Sequence, residues 1–227
     1  MPEILYSDDY YVAINKPHGL LTHPSVIAKN ANESAMQQVR DFFGRYVYPV
    51  HRLDRKTGGV LLFALDQETN KITQKLFSEN QIKKEYLAIV RGHTDDAGEI
   101  DYPVKNKNGK AKDAFTAYQT LARTEIPVPF GKHTTSRYSL VRATPKTGRM
   151  HQLRVHFSHI LHPIIGDRPH GCNKQNRLFK KRWEMTTMLL HANRLAFTHP
   201  VVGSEVNIKA DVQPEFKRML EMLFETQ

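Results

Sequence analysis

Apolar residues along the chain fall into short runs, most alternating with polar ones and a few spaced three or four apart. The opening ILYSDDYYVAINKP reads as two short strands around an acidic turn, ended by the breaker Pro17-His18-Gly19. From Asn32 to Arg45 the period changes. Met36, Val39, Phe42 and Phe43 recur at helical spacing, with Gly44 near the end. The apolar run from Val60 to Leu65 predicts a buried strand entered through a polar loop, HRLDRKTGG. A second helix is expected from Glu68 to Glu79, burying Ile72, Leu76 and Phe77, and KKEYLAIVRG suits a strand in a sheet interior.

Further strands are expected at EIDYPV, AFTAYQTLA and RYSLVRATP. From Arg149 to Leu161 the spacing is helical, with Leu153, Phe157, Ile160 and Leu161 turned inward, and HPIIGD ends that unit in an abrupt turn. MLLHANRLAFTHP and SEVNIKAD read as a strand pair, and PEFKRMLEML as a closing helix with proline in its first turn. Strands outnumber helices and many lie close in sequence. The expected class is therefore α+β, a mixed, largely antiparallel sheet with flanking helices. No repeat, low-complexity tract or composition shift divides the 227 residues, which suit one large domain or two closely merged halves.

Charge changes this picture more than composition does. Lys and Arg number 33 against 23 acids, a formal charge of +10, which favours polyanionic partners through Coulomb attraction and counterion release. Lys105, Lys107, Lys110 and Lys112 crowd one stretch, and Lys174, Arg177, Lys180, Lys181 and Arg182 another. Either run, taken alone, reads as a solvated loop. The single cysteine, Cys172, excludes an internal disulfide and any multi-cysteine zinc site. No apolar run reaches the roughly 18 residues of a membrane span. The segment MPEILYSDDYY lacks a signal-peptide pattern, so the cytoplasm is the expected compartment.

Two segments could carry chemistry. In His51-Arg52-Leu53-Asp54-Arg55-Lys56-Thr57-Gly58-Gly59 one carboxylate stands among cations on a glycine-terminated loop. Cations keep an aspartate ionised and glycines let a bulky ligand approach, which suits a nucleophile or base in an anion-binding site. A surface ion pair at a strand entrance would have the same spacing. In Pro145-Lys146-Thr147-Gly148-Arg149-Met150-His151-Gln152-Leu153-Arg154 a glycine turn opens a helix that gathers Arg149, His151, Gln152 and Arg154. Guanidinium groups at a helix N-terminus make a phosphate or carboxylate site, and an exposed basic helix reads the same way. Twelve histidines include His151, His156, His159 and His162, but no acid or cysteine completes a metal-ligand pattern with them. The patterns G-x-G-x-x-G, the P-loop and G-x-S-x-G do not occur, which argues against a dehydrogenase, a kinase or a serine hydrolase.

Read together, these segments resemble the RluA family of RNA pseudouridine synthases. HRLDRKTGG resembles the family's H-R-L-D-x-x-T-S-G, and Thr147 to Arg154 followed by His162 to Asp167 resembles T-G-R-x-H-Q-L-R and H-P-I-x-G-D. Lys84 to Val90 resembles K-x-Y-x-A-x-V, and the segment Val12 to Gly19 carries the N-K-P-x-G of the family's opening motif. All four occur in the family order along almost the whole chain. One position departs: Gly58 stands where the family usually has serine.

The resemblance implies the pseudouridine synthase catalytic fold over residues 1–227, without the small RNA-binding domain that many larger relatives carry in front. It implies isomerisation of uridine with no redox change and hence no cofactor or metal. Asp54 would be the essential carboxylate, with attack at ribose C1′, addition at base C6 and a glycal route all compatible. Arg154 would pair with Asp54, and Tyr86 would stack on the target base and could relay a proton. Arg52, Lys146, Arg149, His151 and Leu153 would contact the substrate. The expected partner is structured RNA, with no membrane and no obligate protein partner. The stretches PVPFGKHTTSRYSLVRATPKTGR, IIGDRPHGCNKQNR and LLHANRLAFTHP look most like the branch that modifies uridine 65 of tRNA. A dual-specificity relative acting on ribosomal and transfer RNA is the nearest alternative. Outside the family, a non-catalytic RNA-binding module would bind without isomer product. A metal-dependent nuclease would want acids clustered as these are not.

Overall fold

A computed structural model describes residues 2–24 and 33–225. The chain begins with β1 (Glu3–Ser7) and β2 (Tyr11–Lys16), then α1 (Ala35–Phe43), β3 (Tyr48–Pro49), β4 (Gly58–Ala64) and α2 (Gln67–Ser78). The strands β5 (Lys83–Arg91), β6 (Ala97–Asp101), β7 (Val104–Lys105), β8 (Ala111–Lys112), β9 (Phe115–Ile126) and β10 (Ser136–Pro145) follow. The helices α3 (Gln152–His159) and α4 (Asn173–Trp183) lead to β11 (Leu190–Thr198), β12 (Glu205–Lys209) and α5 (Pro214–Leu220), which runs into a π-helical turn, Glu221–Glu225. Two compact units result, one of residues 1–84 and 191–213, the other of residues 85–190 and 214–227.

In the first unit β1 pairs with β2, β2 with β4, and β3 with β4, all antiparallel, while β4 and β11 run parallel and β12 pairs antiparallel with β11. Every residue of β4 is buried, as a near-continuous apolar run predicts. Its core gathers Tyr11, Val60, Leu62, Leu195, Phe197 and Ile208. α1 starts where Ser34 and Gln37 form a reciprocal capping box and stops at left-handed Gly44. The helix expected from Asn32 thus begins at Ala35, and Asn32 lies outside the described residues. In α2 the buried positions are Thr69 and Thr73, the latter 2.5 Å from the Tyr11 hydroxyl. Leu76 and Phe77 are partly buried against the core, whereas Ile72 is exposed, contrary to its expected burial, because the helix turns its threonine stripe inward.

The second unit orders its strands β5-β10-β9-β6, antiparallel throughout, and β7 and β8 form a separate hairpin. Tyr86, Ala88 and Val90 of β5 lie opposite Ala143, Val141 and Ser139 of β10. Tyr86, Ala88, Val90, Val141 and Ala143 belong to a cluster with Leu153 and Phe157 of α3. Three expectations change here. α3 begins at Gln152 rather than Arg149, because His151 takes a left-handed conformation (φ 57°) that no helix interior admits. Leu161 is 82% exposed, not buried, since it also turns the chain with positive φ after the helix has ended. The basic run 174–182 is a helix and not a loop. Its inward positions Gln175 and Phe179 include only one apolar residue, which hid the period. Lys105 and Lys112 stand in the β7–β8 hairpin, with the turn closed between Asn106 and Lys110.

Candidate active site

Each unit supplies one of the chemistry-bearing segments. In the first unit Asp54 stands half-buried on the turn that enters β4, closed by the Thr57 amide donating to the Asp54 carbonyl at 2.9 Å. The residue before it is clamped on both sides: the Leu53 amide donates to Thr22 Oγ1 at 3.2 Å, and the Thr22 hydroxyl donates to the Leu53 carbonyl at 3.1 Å. On the other side the Gly19 amide donates to the Arg55 carbonyl, and the Arg55 guanidinium returns a bond to the Gly19 carbonyl.

Lys16, with none of its surface exposed, organises this turn. Its ammonium donates to the carbonyls of Pro17 (3.0 Å), Leu20 (2.8 Å) and Arg55 (3.3 Å). Burial pulls its pKa down to about 7, and the Asp54 charge acts in the opposite direction. His51, the first residue of the same motif, is neutral. Its Nε2 accepts the Leu62 amide at 3.0 Å, its ring stacks on Phe77, and burial lowers its pKa to about 3. The expected substrate contact Arg52 is exposed.

The two glycines that end this segment differ in purpose. Gly59 has φ +111°, and a Cβ there would stand 2.2 Å from the Ala192 carbonyl oxygen, so the parallel contact of β4 with β11 requires glycine. At Gly58 a Cβ would lie 2.9 Å from Gln213 Cγ. The Gln213 side chain fills the space the usual serine would take and donates to Asn15 Oδ1 at 2.9 Å.

In the second unit Tyr86 stands partly buried at the α3 side of β5. The turn from Lys146 to His151 is built around one amide. Gln152 Oε1 accepts the Thr147 hydroxyl (2.7 Å) and the Arg149 amide (3.0 Å), and its Nε2 donates to the Phe115 carbonyl and Thr116 Oγ1, both at 3.0 Å. Lys146 and Arg149 are exposed. The Lys146 ammonium lies 4.2 Å from the Phe115 ring centroid, and Arg149 Nε donates to the Asp113 carbonyl. His151 Nδ1 meets His170 Nε2 at 3.0 Å, and Leu153 packs into the apolar cluster with 6% exposure.

Arg154 forks onto Asp167 with Nε–Oδ2 and Nη2–Oδ1 both 2.8 Å, in a pair less than a tenth exposed on either side. Asp167 in turn accepts the His170 amide, and its carbonyl takes the Asn176 side-chain amide. Asp167 and Lys16 had no role in the sequence reading, although each lies inside one of the four motifs, and Gln152 was grouped with Arg149, His151 and Arg154 without the bonds it makes. Thr22 lies outside them and gave no signal. Among the described residues no three His, Cys, Asp or Glu side chains group as a metal site, and no helix is long and apolar enough to cross a membrane.

Residues 10–159 match a family model described as RNA pseudouridylate synthase. The chain is 43% identical to tRNA pseudouridine synthase C of Vibrio vulnificus (strain CMCP6), over 97% of this chain and 95% of that protein. It is 44% identical to tRNA pseudouridine synthase C of Haemophilus ducreyi, over 96% and 93% respectively. Among solved structures, human RNA pseudouridylate synthase domain containing 4 superposes with a TM-score of 0.73 at 26% identity, over 96% of this chain and 92% of that one.

Proposed function

The chain belongs to the RNA pseudouridylate synthase family, and from that premise we propose that it converts uridine 65 of tRNA to pseudouridine with Asp54 as nucleophile. As a member of that family it is an isomerase that makes pseudouridine in RNA. The transfer RNA reading rests on relatives near 43% identity over almost the full chain, each named for tRNA. The Asp54 reading rests on one observation above the others: the backbone on both sides of this carboxylate is tied down, by Thr22 at Leu53 and by Lys16 and Gly19 at Arg55. A reacting group held this way loses little freedom at the transition state.

The reaction breaks the N-glycosidic bond, turns the uracil and rejoins it through carbon. Atoms and oxidation state balance within the nucleoside, so no cofactor is called for. In this reading Asp54 supplies the carboxylate and Arg154 a guanidinium. Tyr86 presents a ring for the uracil face and a hydroxyl for proton relay. A uridine in a stem must leave its stack to react, and Arg52 takes the vacated space or the neighbouring phosphate. Lys146, Arg149 and His151 line the RNA side, with Leu153 supporting them from the apolar cluster and the lysines of the β7–β8 hairpin adding phosphate contacts. The motifs fall in both units, and so do the matched residues 10–159. The two units are therefore taken as halves of one catalytic domain, working on tRNA in the cytoplasm without an obligate protein partner.

The test is mass-spectrometric mapping of pseudouridine in tRNA and ribosomal RNA from cells with and without the gene. Loss confined to uridine 65 of tRNA is expected. Loss at ribosomal sites as well would replace the substrate assignment with dual specificity. Unchanged RNA, with purified protein inactive on tRNA transcripts, would refute the reading.

A further inference from the structure

The second unit's sheet has a face that the proposed chemistry does not use. On β5 and β10 the paired residues alternate sides: Tyr86 with Ala143 and Ala88 with Val141 face the α3 cluster, while Arg91 with Tyr138 faces the other way. On that opposite face the Tyr138 hydroxyl bonds to Gln175, and its ring stands edge-on to Phe179 at 5.4 Å, both on α4. Arg91 is also five residues along the strand from Tyr86, roughly 17 Å at strand rise.

α4 presents five cations, Lys174, Arg177, Lys180, Lys181 and Arg182, all exposed, with no acid between Asn173 and Trp183. None of the ion pairs among the described residues involves them. At 100° per residue Lys174, Arg177 and Lys181 fall within about 60° of one another, opposite the inward Gln175–Phe179 stripe, over roughly 10 Å of axis. Lys180, Lys181 and Arg182 stand in the last turn, where the helix dipole favours cations without any ligand. Lys174 stands in the first turn, where the dipole disfavours one, so the patch is not explained by helix stability.

A cavity of about 200 Å³ opens beside the first turn of α4, lined by Arg91, Phe130, His133, Ser136, Arg137 and Gln175 among others, with no carboxylate in its wall. Arg137 is engaged by Glu125 at 2.9 Å. The Arg91 guanidinium lies 5.1 Å from the Phe130 ring centroid and has no carboxylate partner among the described residues. Gln175, 1% exposed, belongs to both cavity and helix and makes the two continuous.

We propose that the outer face of α4 and the cavity at its first turn form a second RNA-binding surface, separate from the residues assigned to the reaction. Lys174, Arg177 and Lys181 lie along the phosphates of a stem, and Arg91 takes one phosphate at the cavity. The proposal rests on RNA being the substrate. It explains how a basic chain holds a large RNA beyond the reacting nucleotide.

The test measures tRNA-transcript affinity across a salt series, together with pseudouridine formation at saturating RNA. The wild-type protein is compared with the triple variant Lys174→Ala/Arg177→Ala/Lys181→Ala and with Arg91→Ala. The triple variant is expected to raise Kd at least tenfold, to flatten the log–log salt slope by about two to three, and to leave kcat and thermal stability unchanged. Arg91→Ala is expected to flatten it by about one. Unchanged affinity and slope in both variants would overturn the proposal, as would a fall in kcat with affinity intact. If wild-type protein binds tRNA through these residues but forms no pseudouridine, the reaction reading fails and the surface stands. If it binds no RNA, both fail.

Discussion

The two chemistry-bearing segments are held by opposite means. The Asp54 turn is held through its own backbone: a buried ammonium, a threonine hydroxyl and a glycine amide capture its carbonyls and amides. The segment from Thr147 to Arg154 is held by side chains, through the Gln152 amide and the Arg154–Asp167 fork at the start of α3. The first scaffold therefore depends on a charge that is expensive to bury, the second on a pair that compensates itself. Substitutions should separate the two.

The largest effect on the framework is expected in the second segment. Asp167→Ala removes the carboxylate onto which buried Arg154 forks and should lower stability by about 3–5 kcal/mol, read by urea unfolding. A loss below about 1 kcal/mol would show that the fork is not what holds the segment. In the first segment the balance should reverse. Lys16→Met gives up three carbonyl bonds but also removes a buried charge, so stability should fall by only about 1–3 kcal/mol. Turnover should drop tenfold or more as the Asp54 turn loosens. A variant that unfolds, or keeps full turnover, would dissolve the contrast.

A smaller effect sharpens the same comparison. Gly58→Ser crowds Gln213 and should cost about 1–3 kcal/mol. Adding Gln213→Ala should recover most of that loss, and additivity in the double variant would show that the two positions are uncoupled.

The remaining test is in pH. Burial holds His51, His18 and His191 of the first unit at pKa values of about 3, 4 and 4, against 6.5 for an ordinary imidazole. The unfolded chain takes up protons first, so stability present above pH 6.5 is lost as pH falls toward about 4. Lys16, lowered from 10.5 to about 7, has the same sign in a higher window: stability rises with pH between those values. Unfolding free energies from pH 4 to 10 check both slopes, and a flat profile below 6.5 would contradict the neutral histidines.

Much of the fold was legible because it is written in local patterns. β2, β4, β5 and the β11–β12 pair follow apolar runs, and α1 follows its helical spacing up to Gly44. α4 was not legible, because its inward stripe includes a glutamine and its cations read as solvated chain. The motifs located Asp54, Tyr86 and Arg154 by resemblance, but no periodicity shows that Gln152 bonds four partners or that Arg154 meets Asp167 thirteen residues on. Those are tertiary facts. His51 is a third case: no spacing shows that the Leu62 amide and burial make it a neutral acceptor.

The most direct measurement is pseudouridine formation by Asp54→Asn on a tRNA transcript, beside the wild type and a control without enzyme, with binding measured in parallel. The substitution keeps size and shape and removes only the charge. The account predicts RNA affinity within a few-fold of wild type and no product above the control. Product above that control would contradict Asp54 as the nucleophile.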